Sequence, residues 1–125
     1  MIGAKLAHPQ RFCLNLMGDG AFGMSGTDIE TAVRAEVPIT TVVLNNGGMA
    51  TYPGGFPTAR KQYGVSEMYG NYAQIAEGMG AVGLVVESPT ELNDALKSAQ
   101  RLNKEGKTVL VDVHSNMESL RSRWN

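Results

Sequence analysis

Two short segments of this chain combine glycine with acid and amide side chains: Gly18-Asp19-Gly20-Ala21-Phe22 and Asn45-Asn46-Gly47-Gly48. Glycine lets a backbone come close to a bound anion, and a helix that follows points its free N–H groups at that anion. Asp19 has the same sign as a phosphate, so it reaches one only through a divalent cation. Magnesium takes about six oxygen ligands and draws few of them from the protein. Asp19 offers a carboxylate oxygen, one of the two asparagines an amide oxygen, and the backbone near Gly48 a carbonyl. Two diphosphate oxygens and a water complete the octahedron. Successive side chains at a strand end point in opposite directions, so only one of Asn45 and Asn46 serves as a ligand and the other is structural. Each piece alone also makes an ordinary turn. Their placement at two successive strand ends is what directs them at a ligand.

The elements that position these segments follow from hydropathy. Phe12–Met17, Ile39–Leu44, Ala81–Val86 and Thr108–Val113 are short, nearly continuous apolar runs, the pattern of parallel strands covered on both faces. Helical spacing lies between them. Thr27-x-x-Glu30 reads as a capping box, with Ile29, Ala32, Val33 and Val37 on one face and Pro38 as the stop. Tyr72, Ile75, Ala76 and Met79 mark a second helix, stopped by Gly80. Pro89-Thr90-Glu91 opens a third, with Leu92, Ala95, Leu96, Ala99 and Leu102 inward and an end near Gly106. The opening Ile2–Ala7 also reads as helix. The order β-α-β-loop-α-β-α-β, with right-handed crossovers, predicts a three-layer α/β sandwich with a mainly parallel sheet. Ligands bind such sheets at the carboxyl ends of strands, where both segments fall. The glycine- and proline-bearing stretch from Asn45 to about Asn71 is predicted to be an irregular functional loop.

Bulk properties narrow the field. A length of 125 residues suits one domain spanning 1–125, with enough chain to bury a core without staples. The formal net charge of −1, with acids and bases interspersed, argues against nucleic acid as a partner. No apolar run approaches the roughly 20 residues of a membrane span, and no signal peptide is evident. Cys13 is the single cysteine, reads as a buried inert thiol, and fits a cytoplasmic setting. An EF-hand starting at Asp19 fails, because Met24 stands where the loop needs glycine and Ala21 and Gly23 occupy ligand positions. A dinucleotide fingerprint fails as well, since no Gly-x-Gly-x-x-Gly follows a strand.

Gly18-Asp19-Gly20 followed by Asn45-Asn46 resembles the thiamine diphosphate (ThDP) signature of the acetolactate synthase and pyruvate decarboxylase superfamily. The run from Gly18 through Ala32 and the strand Pro38–Leu44 resemble the same domain, and the likeness extends from about Ile2 to Val113. The resemblance implies a ThDP-binding fold. It implies ThDP and Mg²⁺ as cofactors, with Asp19, Asn46 and the Gly48 carbonyl on the metal. Gly18, Gly20 and the backbone amides of Ala21 and Phe22 then lie against the diphosphate. It selects Asn46 over Asn45. A serine often stands at the position of Ala21, so one contact is absent here.

The implied chemistry is carbon–carbon lyase or transferase work on 2-oxo acids or related carbonyl compounds. In that family a pyrimidine-binding domain, commonly from another subunit, supplies an activating glutamate, and a glycine-rich loop precedes the helix at Ile2–Ala7. Neither is in this sequence. The chain is therefore read as a partial domain, truncated at its N-terminus. It is expected to be inactive alone and to form a homo-oligomer. The alternative is a non-catalytic remnant that binds a phosphate ligand or a partner. No residue of the chain is assigned a catalytic role.

Other residues complete the reading. Tyr52 stands where some decarboxylases of the family have a proton-transferring acid; proton donation and substrate shielding are both open, as is the reaction subtype. His114, after the last strand, is either an acid–base group or a surface histidine. His8 is assigned to a loop. Most of the seven methionines are expected in the core, with Met24 packed against the cofactor loop. Tyr63, Tyr69 and Tyr72 are expected over the site or at a subunit contact. Arg121, Arg123 and Trp124 lie in a terminal tail.

Overall fold

A computed structural model describes residues 1–49, 55–65 and 67–117. Tyr52, Arg121, Arg123 and Trp124, and with them the questions of proton transfer and of the tail, lie outside these residues. Four strands, β1 (Leu14–Gly18), β2 (Thr40–Asn45), β3 (Val82–Val86) and β4 (Val109–His114), form one parallel sheet in the order β1-β2-β4-β3. The register sets Gly18 beside Leu44 and Asn45 beside His114. The carboxyl ends of β1, β2 and β4 therefore meet along one edge.

The helices are α1 (Ile2–Ala7), α2 (Asp19–Ser25), α3 (Asp28–Arg34), α4 (Pro57–Tyr63), α5 (Tyr72–Gly78) and α6 (Leu92–Lys104). One sheet face packs through Val43 and Leu110 on Phe22 of α2, Ile29 of α3, and Tyr72 and Ala76 of α5. The opposite face packs through Val42, Val86, Val109 and Val111 on Ala99 and Leu102 of α6. Two helical layers thus enclose the sheet, and the three-layer α/β expectation holds. Side chains such as Leu110 and Val111, removed wholly from water, each contribute on the order of 1.5–3 kcal/mol. Cys13 is buried, as its apolar run requires. Asn103 ties α6 to the amino end of β2: its side chain accepts from Thr40 Oγ1 at 2.9 Å and donates to the Ile39 carbonyl at 3.1 Å. Gly83 lets β3 approach α5, since a Cβ there would lie 2.5 Å from the Ala73 carbonyl oxygen.

Several expectations change. The helix after Gly18 begins at Asp19 itself, so the acid is part of its first turn. The capping box does not form. Gly26 and Thr27 are already helical, and Gly26 N–H donates to Phe22 O at 2.7 Å, so α2 runs into α3 without the extended residue that a box needs. Glu30 pairs with Arg34 at 3.0 Å instead. The stretch between Asn45 and Asn71 contains α4, opened by Pro57 and closed by Gly64 at φ 62°.

On α5 the inward residues are Tyr72, Ala73 and Ala76, and Ile75 faces out. None of the seven methionines is fully buried: Met17, Met68 and Met79 are partly buried, and Met24 is 81% exposed. Double-sided coverage holds for β2, β3 and β4 but not for β1. Helix α6 lies over β2, β4 and β3, which leaves Leu16 of edge strand β1 61% exposed.

Candidate cofactor site

Strand β1 ends at Gly18, and the chain turns directly into α2, placing Asp19 at the carboxyl edge of the sheet. The Asp19 carboxylate is only 3% exposed. Its Oδ1 accepts from the Gly20 N–H at 2.7 Å and its Oδ2 from the Gly47 N–H at 2.9 Å. The second bond joins the two glycine-bearing segments, which are separated in sequence by a whole βαβ crossover. Asn46 closes the turn, its Oδ1 accepting from the Gly48 N–H at 2.9 Å. Gly47 sits at φ 65°, where a side chain is strained. The Gly47 carbonyl then accepts from Met68 N–H at 3.0 Å, and Gly48 forms a bridge with Glu67.

Gly18 has extended backbone (φ −81°, ψ 164°), and a Cβ there would meet nothing within 4 Å. Neither conformation nor internal packing requires a glycine at that point, so open space stands beside the acid. The Ala21 amide lies in the first turn of α2, where a helix has no preceding carbonyl to offer, and Phe22, the residue after it, is the first whose amide faces the Gly18 carbonyl. Phe22 meets Tyr72 edge-on, with ring centroids 4.9 Å apart.

The donor set suits a hard cation. A carboxylate has about four lone-pair sites, and the two bonds to Asp19 leave the others available. Amide and carbonyl oxygens from Asn46 and Gly48 lie in the adjoining turn. Among the described residues no three His, Cys, Asp or Glu side chains gather to hold a metal. A cation here therefore completes its shell with backbone, ligand and water oxygens, as magnesium does. The residues present fit a magnesium–diphosphate group.

Asn45 is bonded into the fold. Its Nδ2 donates to the Gly70 carbonyl and to Asp112 Oδ1, each at 3.1 Å. Asp112, wholly buried in β4, was not singled out from sequence. Its Oδ2 accepts from the Tyr72 N–H at 3.0 Å and the Ala73 N–H at 3.4 Å, so it holds the first turn of α5. Asn71 adds a side-chain cap to the Gln74 N–H at 2.9 Å. The signal in the sequence was an acid inside the apolar run Val109–Val113, since a carboxylate is rarely buried there without partners.

His114 is partly exposed, its Nε2 3.7 Å from Asp112 Oδ2 and its Nδ1 3.9 Å from Glu87 Oε1. Burial, then the Asp19 carboxylate, then that of Asp112, raise the Tyr72 hydroxyl above its ordinary value. Tyr69 is exposed and donates to the Glu67 carboxylate; that bond and the carboxylate's charge raise its hydroxyl too. Tyr72 thus borders the site, and Tyr69, though largely exposed, lines the same cleft, whereas Tyr63 faces solvent.

Two clefts lie at this edge of the sheet. One, of about 360 Å³, includes Asp19, Phe22, Met68 and Tyr72 in its walls; the other, of about 330 Å³, includes Asn45, Asn46, Asn71 and His114. Gly70 borders both. A larger cavity of about 650 Å³ lies at the amino edge, against Lys5, Arg11 and Lys104, far from these groups.

The chain has relatives among known proteins. The family described as "Thiamine pyrophosphate enzyme, C-terminal TPP binding domain" matches residues 1–113. The chain is 38% identical to a sulfoacetaldehyde acetyltransferase of Alcaligenes xylosoxydans xylosoxydans and 40% identical to an acetolactate synthase of Bacillus subtilis (strain 168). Each match covers 90% of this chain and 19% of the relative. A 2-hydroxyacyl-CoA lyase of Oryza sativa subsp. japonica is 30% identical over 94% of the chain and 22% of its own length. The solved structure of a Rhodococcus jostii RHA1 thiamine diphosphate-dependent 4-hydroxybenzoylformate decarboxylase superposes with a TM-score of 0.78 at 26% identity, covering 95% of this chain and 22% of that one. The chain thus spans about a fifth of the length of these relatives. By its sequence and its fold, this chain belongs to the thiamine pyrophosphate enzymes, as their C-terminal TPP-binding domain.

Proposed function

We propose that the chain anchors the diphosphate end of ThDP through Mg²⁺, as part of a carbon–carbon lyase or transferase acting on 2-oxo acids or related carbonyl compounds. The observation that carries this reading is the buried Asp19 carboxylate bonded to the Gly47 N–H, which makes one site of two strand ends. Asp19, Asn46 and the Gly48 carbonyl hold the metal; Gly18, Gly20 and the amides of Ala21 and Phe22 lie along the diphosphate. When bound, the cofactor supplies a carbon nucleophile for substrate carbonyls, and the protein supplies position and electrostatics. Asp19 neutralises part of the cation's charge, and Gly18 admits the diphosphate to the helix end.

The relatives, a synthase, an acetyltransferase, a lyase and a decarboxylase, support the lyase or transferase class. A pyrimidine-binding domain or subunit and a homo-oligomeric assembly complete the proposal, with a cytoplasmic setting. The 125-residue chain then turns over no 2-oxo acid unless that domain is added. Binding of ThDP, methylene diphosphonate and thiamine, each with magnesium, tests the anchoring role. The first two are expected to bind and thiamine not; thiamine binding as tightly as ThDP would contradict it.

A further inference from the structure

Asp112 belongs to no part of the site proposed above, yet it connects nearly everything that shapes it. It is fully buried within the apolar run Val109–Val113 of β4, where an acid needs several partners to be tolerated. Both its oxygens are used, each for a different element. Oδ2 takes the first two N–H groups of α5, from Tyr72 and Ala73. Oδ1 takes the Asn45 side chain, which also reaches the Gly70 carbonyl. Asn45 immediately precedes Asn46 and Gly47, and the segment from Glu67 to Gly70 is tied at its other end by Met68 N–H to Gly47 O. Tyr72, whose backbone Asp112 holds, packs its ring on Phe22 in the turn that carries Asp19.

We infer that Asp112 is a positioning residue for the cofactor site: through Asn45 it sets the Asn46–Gly48 turn against Asp19 before any ligand arrives. This rests on the magnesium–ThDP reading for its consequence in binding, but the positioning itself is read in the free chain. Groups that orient metal ligands from behind are worth about 10–100-fold in metal affinity.

Asp112→Asn separates this role from a general one. The remaining amide oxygen still accepts from Tyr72 and Ala73, while the new NH₂ faces the Asn45 NH₂ and breaks that link; the change also removes the charge beside His114 Nε2, which Asn45→Ala leaves in place. Hydrogen exchange in the ligand-free chain is expected to show the Gly47 amide losing protection by about tenfold or more, with Leu102 of α6 little changed. Val86→Ala, which weakens the opposite face, serves as the control; at matched melting temperature it lowers Gly47 and Leu102 together. Magnesium–ThDP affinity should fall by about 10–100-fold in Asp112→Asn and much less in the control. Asn45→Ala approaches the same link from the other side, should expose Gly47 alike, and should add nothing to Asp112→Asn.

Unchanged Gly47 protection in either site variant, or equal losses in variant and control, would overturn the inference. A wild-type chain that protects Gly47 but binds no magnesium–ThDP would contradict the proposed function instead, and the exchange comparison would still decide the role of Asp112.

Discussion

Asn45 and Asn46 are adjacent and chemically identical, yet the fold bonds them differently. Asn45 turns inward to Asp112 and Gly70, whereas among the described residues the Asn46 side chain bonds only Gly48 of its own turn. Asn46→Ala is therefore expected to weaken magnesium-dependent ThDP binding more than Asn45→Ala, and Asn45→Ala to lower thermal stability more. Calorimetry and thermal melts on both variants check this; equal loss of binding would contradict the assignment of Asn46. Tyr72 gives a second handle at this scale. Its hydroxyl is raised above 10.0 in the folded chain by burial and by Asp19 and Asp112. As pH climbs past that ordinary value, the unfolded chain loses this proton first and so binds fewer protons than the folded one. The stability that is complete below pH 10 is then lost as pH rises through the raised value. Denaturant titrations of the metal-free chain should show this alkaline decline, and Tyr72→Phe should make it shallower.

At the scale of elements, strands were the most legible part of the sequence. Phe12–Met17, Ile39–Leu44, Ala81–Val86 and Thr108–Val113 lie within two residues of β1–β4, because a buried parallel strand leaves an unbroken apolar run. Helix α6 was equally plain from its periodic leucines and alanines. Helix α4 was not, since none of its residues is buried and it has no apolar stripe to detect; only Pro57 and Gly64 marked its ends. The Thr27 cap failed because α2 was already helical before it, which a pattern starting at Thr27 does not show. Asp112 and Asn103 stayed hidden for another reason. Their partners are remote: Tyr72 and Asn45 lie 40 and 67 positions from Asp112, and Thr40 lies 63 from Asn103. The central strands should dominate stability. Leu110→Ala in β4 is expected to cost about 2–5 kcal/mol in equilibrium unfolding, as fully buried leucines do. A cost within 0.5 kcal/mol of zero, the range roughly usual for surface changes, would contradict the packing described.

At the scale of the molecule, the parallel sheet brings the ends of β1 and β2 to one edge, where the proposed site lies. Gly18-Asp19-Gly20 and Asn45–Gly48 were legible as a pair because both follow strands, and the register of β1 on β2 brings them together. Family membership explains why the fold recurs in proteins about five times as long. The central claim is that the two segments hold a magnesium–diphosphate group with Asp19 as their charged ligand. Titrating ThDP into the chain by calorimetry, with magnesium and then with EDTA, and repeating the titration on Asp19→Ala, tests this most directly. The account predicts binding by the wild-type chain with magnesium only, and none by Asp19→Ala; binding that survives EDTA, or is equal in the variant, would contradict it.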